Sequence, residues 1–342
     1  MNLEISQKAA LIQLHKFEMS IYQYRHYYFS FVFGQMTLVP NHVCYLCPIC
    51  LSNYFLVTNG KIFYSSEFSL DHYPPENVGG KYTSVVCKKC NNSAGTEYEP
   101  EIEAYIKREV YNKRLPNTYI KSRIPYPSPR NPNKIFSQPI AWGFNEKGEW
   151  SIEFTNRSGK IISDVRPWHN DIVSKEFKIE IKDPDSKKTT KGLLKAAYLY
   201  CFETWGYEFA FSNAGELIRA VLKDEAEYPV AIPNLWFDNK TSLNSGVNIP
   251  KGMAFIQTPK DIISMYVNIP LSLEESDYEC IVPIPIPIPN DNEFLELKRV
   301  QQYLKDNSSL QIFISSMPFS IDLRVNPRAY TTTWELLSKQ NQ

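Results

Sequence analysis

Two Cys-x-x-Cys pairs, Cys47/Cys50 and Cys87/Cys90, constrain this chain more than any other feature. A two-residue spacer lets a tight turn aim both sulfurs at one ion, and two such knuckles complete a four-sulfur tetrahedral zinc site. The metal then closes segment 51–86 into a loop and places whatever lies in it. What lies there is Asp71-His72, followed by Pro74-Pro75 and Gly79-Gly80. Cys44, three residues before Cys47, makes Cys44/Cys47 a rival first knuckle.

The order of these features carries a resemblance. A knuckle, then Asp-His-x-x-Pro, Gly-Gly and Cys-x-x-Cys-Asn is similar to the zinc-containing HNH endonucleases of the ββα-metal (His-Me finger) class, over roughly residues 40–112. The resemblance favours Cys47-Pro48-Ile49-Cys50 as the first knuckle, because Pro at its second position is common in the family. It implies that His72 is the general base, that Asp71 is a ligand of a catalytic Mg²⁺ or Mn²⁺, and that Asn91, directly after the last cysteine, is a further ligand. The residue types suit these roles. A neutral imidazole takes a proton near neutral pH, and an Asn carbonyl is an acceptable hard ligand for Mg²⁺ or Mn²⁺. Hydrolysis of a phosphodiester needs both a base for water and a cation for the developing charge. On an ideal strand neighbouring side chains face opposite ways, so the family's use of adjacent Asp and His belongs at a strand end. The sequence departs from the family where an Asn usually orients the histidine. Tyr82-Thr83 stands there, which leaves Thr83, Ser84 or a backbone carbonyl to accept from the imidazole, and Asn77 lies early in the loop.

Composition sets outer bounds. Lys plus Arg and Asp plus Glu both total 37, so the formal charge is zero and no whole-chain basic bias advertises a nucleic-acid partner. The footprint is local: Lys81 to Lys134 holds seven Lys and four Arg against five Glu, a segment suited to phosphate contacts. Seven cysteines, four of them in a metal pattern, fit a reducing cytoplasmic setting better than a disulfide framework. No apolar run approaches the ~20 residues of a membrane span, and Glu4, Lys8, His15, Lys16 and Glu18 interrupt any signal-peptide core.

The chain divides, on this reading, into an N-terminal helical extension (1–40), a zinc-binding nuclease module (41–114), a Pro-rich linker (115–139) and a mixed α/β domain (140–342). Ala9, Ala10, Leu14, Phe17 and Ile21 recur at helical steps in the extension. Within the module, Tyr54-Val57 and Ile62-Tyr64 flank the hairpin signal Asn59-Gly60. Pro100 opens a helix to about Lys113, with acids at its start and bases at its end. Glu97 or Glu99 there has a supporting role near the metal as its sharper reading. Farther on, strands are expected at Ala141-Phe144, Trp150-Thr155, Ile161-Ser163 and Phe177-Ile181. Thr190 is read as capping a helix to Gly206, and Asn213-x-x-Glu216 as opening another with a capping box. The alternating Ile and Pro of Val282 to Pro289 exclude a central strand and point to an edge or extended crossover. The phrase KAAYLYCFETWGYEF, from Lys195, faintly resembles a helix that follows the nuclease module in some family members, and no chemistry is read from it.

The fold class expected is α+β: a zinc-stabilised ββα-metal (HNH) module with an N-terminal helix and a C-terminal mixed α/β domain. The implied function is metal-dependent endonucleolytic hydrolysis of DNA, with RNA left open, giving a 3′-hydroxyl and a 5′-phosphate. Bacterial anti-phage defence or a mobile element suits such an enzyme. A protein partner or homo-oligomer is expected to control its activity. The C-terminal half is expected to control cutting without supplying a catalytic residue, so that a fragment ending near Lys134 still nicks DNA. The alternative is a non-catalytic zinc ribbon that binds nucleic acid or protein.

Overall fold

The computed structural model describes residues 42–58, 61–114, 116–127, 133, 135–155, 183–210, 212–228, 236–237, 252–258, 264–273, 276–285 and 313–316. The expected N-terminal helix and the strands near 161–163 and 177–181 lie outside the described residues. The fold is mixed α+β, and the described chain forms two compact units. The first takes the chain up to Pro100, then 186–271 and 278 onward; the second takes 101–185 and 272–277. Both units thus cut across the linear division at 114 and 139, because chain far from the cysteines packs into their unit.

In the first unit, β1 (His42–Leu46), β2 (Tyr54–Thr58) and β3 (Lys61–Tyr64) make an antiparallel sheet in that order. The hairpin at Asn59-Gly60 has its strands where the turn signal puts them. Next, β4 (Phe68–Tyr73) pairs antiparallel with β5 (Tyr82–Cys87), and α1 (Lys88–Glu97) leaves directly from the end of β5. The loop between β4 and β5 depends on its glycines. Gly79 adopts φ +85°, and a Cβ on Gly80 would lie 1.6 Å from the Pro74 carbonyl oxygen. Only glycine permits that approach.

The second unit contains most of α2 (Pro100–Lys113) and the antiparallel sheet β6 (Thr118–Pro127), β7 (Ile135–Phe144) and β8 (Trp150–Phe154). The Pro-rich stretch 115–139, expected as a linker, is therefore mostly strand. Edge strand β6 tolerates Pro125 and Pro127 because an edge needs hydrogen bonds on one side only. Arg108 pairs with Asp183, while Lys107 and Lys113 pair with Glu103 and Glu109 within α2. Part of the local basic footprint is thus already neutralised by the chain itself.

The first unit resumes with α3 (Ser186–Trp205), α4 (Tyr207–Ala210) and α5 (Asn213–Leu222). Thr189 and Thr190 are buried inside α3, which begins four residues before the expected cap. Leu193, Leu194, Ala197, Tyr198, Leu199 and Phe202 are all buried, and a helix buried on every side belongs in a core. The cap of α5 is Ser212, whose hydroxyl accepts from the Gly215 amide at 3.1 Å, one residue before the expected Asn213. A five-stranded sheet follows in the order β13-β10-β11-β12-β9, comprising β9 (Trp236–Phe237), β10 (Gly252–Thr258), β11 (Ser264–Leu273), β12 (Ser276–Ile284) and β13 (Phe313–Ser316). Of the Ile-Pro run, only 282–285 lie within the described residues. In the sheet β12 lies between β11 and β9, but β9 pairs only with Glu279 and Cys280, so Val282 to Ile284 lie beyond that ladder, as an edge segment. Among the described residues no helix is long and apolar enough to cross a membrane.

Candidate active site

Two turns bring the four sulfurs together. The first knuckle follows β1: the Leu51 amide donates to the Cys47 carbonyl at 2.9 Å, and the Cys47 amide to the Asn53 carbonyl at 2.8 Å. The second knuckle is the start of α1, with Cys87 as its cap residue and Cys90 in its first turn. Thiolates suit that position, because the helix N-terminus favours negative charge. All four sulfurs lie within 4.8 Å of one another, and Cys50 Sγ is 3.9 Å from Cys87 Sγ. A tetrahedral zinc site, with Zn–S of about 2.3 Å, puts its sulfurs roughly 3.8 Å apart. The donor set therefore fits one metal ion such as zinc. Cys47 belongs to the cluster, and the backbone of Cys44 lies in β1 opposite Leu56.

Asn53 extends the cluster. Its amide nitrogen donates to Cys87 Sγ at 3.2 Å and to Cys50 Sγ at 3.7 Å, the outer support that metal ligands usually have. Burial pushes the Cys47 thiol well up, while its hydrogen bond pulls the Cys87 thiol down to about 6. Nothing in the spacing of the knuckles singled out Asn53, although it lies three residues past Cys50.

Asp71 and His72 occupy the end of β4. Asp71 is buried and stands opposite Ser84 in the ladder, while the half-buried His72 stands opposite Thr83. Of the two side chains expected as imidazole partners, Thr83 is thus the one across from His72. Ser84 lies on the Asp71 side, and its buried hydroxyl has no hydrogen-bond partner among the described residues. Despite pointing to opposite faces, Asp71 and His72 both line one cavity of about 460 Å³, because the strand ends at Tyr73. Glu76, Asn77, Asn91 and Glu99 line it too. Asn77, too early by sequence spacing, reaches this wall because the loop folds back through a short 3-10 turn at Glu76–Val78.

Asn91 joins α1 to β4. Its amide nitrogen donates to Ser69 Oγ at 2.9 Å and to the Leu70 carbonyl at 3.0 Å, which fixes the orientation of the side chain. Both bonds use the nitrogen, so the carbonyl oxygen retains its ligand capacity.

Lys195 of α3 completes the cluster. Its side chain is 2% exposed, and its ammonium lies 2.5 Å from Asp71 Oδ2 and forms a second ion pair with Glu99. Burial alone would push the ammonium pKa down, but the two carboxylates outweigh it and hold it above the ordinary value. Burial pushes both Asp71 and Glu99 up, against the pull of that same ammonium. One buried ammonium thus serves two carboxylates. The helix is seated independently: the Tyr198 hydroxyl donates to the Pro48 carbonyl at 2.7 Å, inside the first knuckle. Lys191, one turn earlier, pairs with Asp224 at 2.8 Å and lies over the Tyr98 ring.

The oxygens of Asp71, Glu99 and Asn91 are hard donors around one cavity, the kind of set that suits Mg²⁺ or Mn²⁺. Comparison with protein-family models, curated proteins and solved structures found no match to this chain.

Proposed function

We propose that this protein is a metal-dependent endonuclease of the zinc-stabilised ββα class, acting on DNA phosphodiester bonds. The observation that carries the reading is one cavity lined by Asp71, His72 and Asn91 at the joint of a β-hairpin and the helix that follows it. The hairpin strand supplies base and carboxylate, the helix supplies the amide, and the four thiols fasten the start of that helix to the knuckle after β1. His72 takes the proton of the attacking water, its half-exposed ring reachable from the cavity. Asp71, Asn91 and Glu99 would hold the cation. A divalent ion bound there supplies the positive charge that a phosphodiester needs as its leaving oxygen departs. Zinc at Cys47, Cys50, Cys87 and Cys90 has a structural part only, because four protein sulfurs leave it no open position.

A plasmid-nicking assay with Mg²⁺, Mn²⁺ or EDTA tests this directly. Nicking that needs the divalent ion and disappears in His72→Ala is the expected result. One observation favours the second reading, a zinc ribbon that binds without cutting: Asp71 already has a buried ammonium beside it. DNA binding that persists in EDTA, with no nicking under any metal, selects that reading.

A further inference from the structure

The ion pairs of Lys195 need a reason. Burying three charges is costly, and well-packed apolar side chains in place of a buried ion cluster are often as stable or more so. Lys195 is not the sole anchor of α3, since Tyr198 bonds the first knuckle and Lys191 pairs with Asp224. What the lysine does uniquely is touch two carboxylates that both line the cavity. We propose that Lys195 is the resident counter-ion of this cation site, which holds Asp71 and Glu99 charge-compensated and keeps divalent-ion binding weak until a phosphodiester enters.

The proposal rests on the metal-dependent reading above and deepens it. With both ionised, Asp71 and Glu99 carry two negative charges, and the ammonium cancels one. A dication that shares their oxygens is repelled by that ammonium at short range, in surroundings where water screens little. The phosphate group of a substrate brings a negative charge and restores the balance. Metal and substrate therefore favour each other's binding, and the coupling is reciprocal. The device suits a nuclease, because free divalent ions alone do not arm it.

The test is calorimetric titration of Mn²⁺ into zinc-loaded full-length protein, comparing wild type with Lys195→Met, Lys195→Gln and Lys195→Arg. The neutral variants should bind Mn²⁺ at least tenfold more tightly than wild type, and Lys195→Arg should stay within threefold. Dimethyl phosphate, a minimal phosphodiester, should tighten Mn²⁺ binding to wild type about tenfold and to Lys195→Met far less. Equal or weaker Mn²⁺ binding by the neutral variants overturns the proposal, as does an absence of Mn²⁺ binding in every protein. Should neither neutral variant fold, the wild-type titrations still decide, because Mn²⁺ affinity indifferent to dimethyl phosphate overturns it. Plasmid nicking by wild type is measured separately. A wild type that nicks while the neutral variants show no tightening rejects only the role of Lys195. A wild type that never nicks rejects the nuclease reading, whatever the Mn²⁺ titrations show.

Discussion

His72 and Asn91 place different demands on their neighbours, and their variants should fail differently. His72 is half-buried at the end of β4, and its ring contributes to the cavity wall rather than to the core. His72→Ala should lower the nicking rate by ~10²–10⁴-fold, the usual cost of a lost general base, while zinc content and melting temperature stay near wild type. Excess Mn²⁺ should not restore it, because no ion replaces a proton acceptor; rescue by metal in the nicking assay counts against the assignment. Asn91 has a mechanical duty as well, through its bonds to Ser69 and Leu70. Asn91→Ala should therefore cost stability too, about 1–3 kcal/mol for two net hydrogen bonds, read from denaturant unfolding. Excess Mn²⁺ should recover part of its activity without restoring the two lost hydrogen bonds.

The hairpin β4–β5, its loop and α1 form the element on which the site depends. Cys87 ends β5 and caps α1, so its sulfur ties both to the first knuckle. Cys87→Ser should reduce zinc from one ion per chain, by metal analysis, and lower the melting temperature, because a closed zinc site contributes directly to folding. Unchanged zinc and unchanged melting would remove the metal from this account. Gly80→Ala forces a Cβ against the Pro74 carbonyl, a backbone atom that cannot turn aside. It should destabilise by about 1–3 kcal/mol and displace Asn77 and Glu76 from the cavity, so that activity falls even where the chain remains folded. Hairpin, knuckles and the Asp71-His72 pair can all be recognised from the residues, since each is a short-range pattern. Asn53 and Asn77 cannot, because their importance comes from where two turns fold back. Lys195 is harder still: its partner Glu99 is 96 residues away. Its one local sign is a charge amid buried neighbours, with Tyr198 and Phe202 three and seven positions on along the same stripe.

At the scale of the whole molecule, the unit that holds the site is discontinuous in sequence. Periodicity shows that α3 is a buried helix, yet it does not say which residues the helix buries against, and a division drawn along the chain separates pieces that fold together. The contacts of α3 bear on the expectation that a fragment ending near Lys134 still nicks DNA. A fragment ending near Lys134 lacks α3, and with it the ammonium beside Asp71 and the hydroxyl bonded to Pro48. Such a fragment should melt at a lower temperature than the full chain, or not cooperatively at all, and should not nick plasmid DNA. Nicking by a folded, zinc-loaded fragment would restore the simpler division. Residue order also has a consequence in time. All four cysteines have been translated by Cys90, whereas Lys195 is added 96 residues after Glu99. At typical elongation rates that gap lasts roughly 5–20 s. Metal capture and completion of the cavity are then separate events on the ribosome, and the growing chain spends that interval with its thiols ready and its reactive centre unfinished.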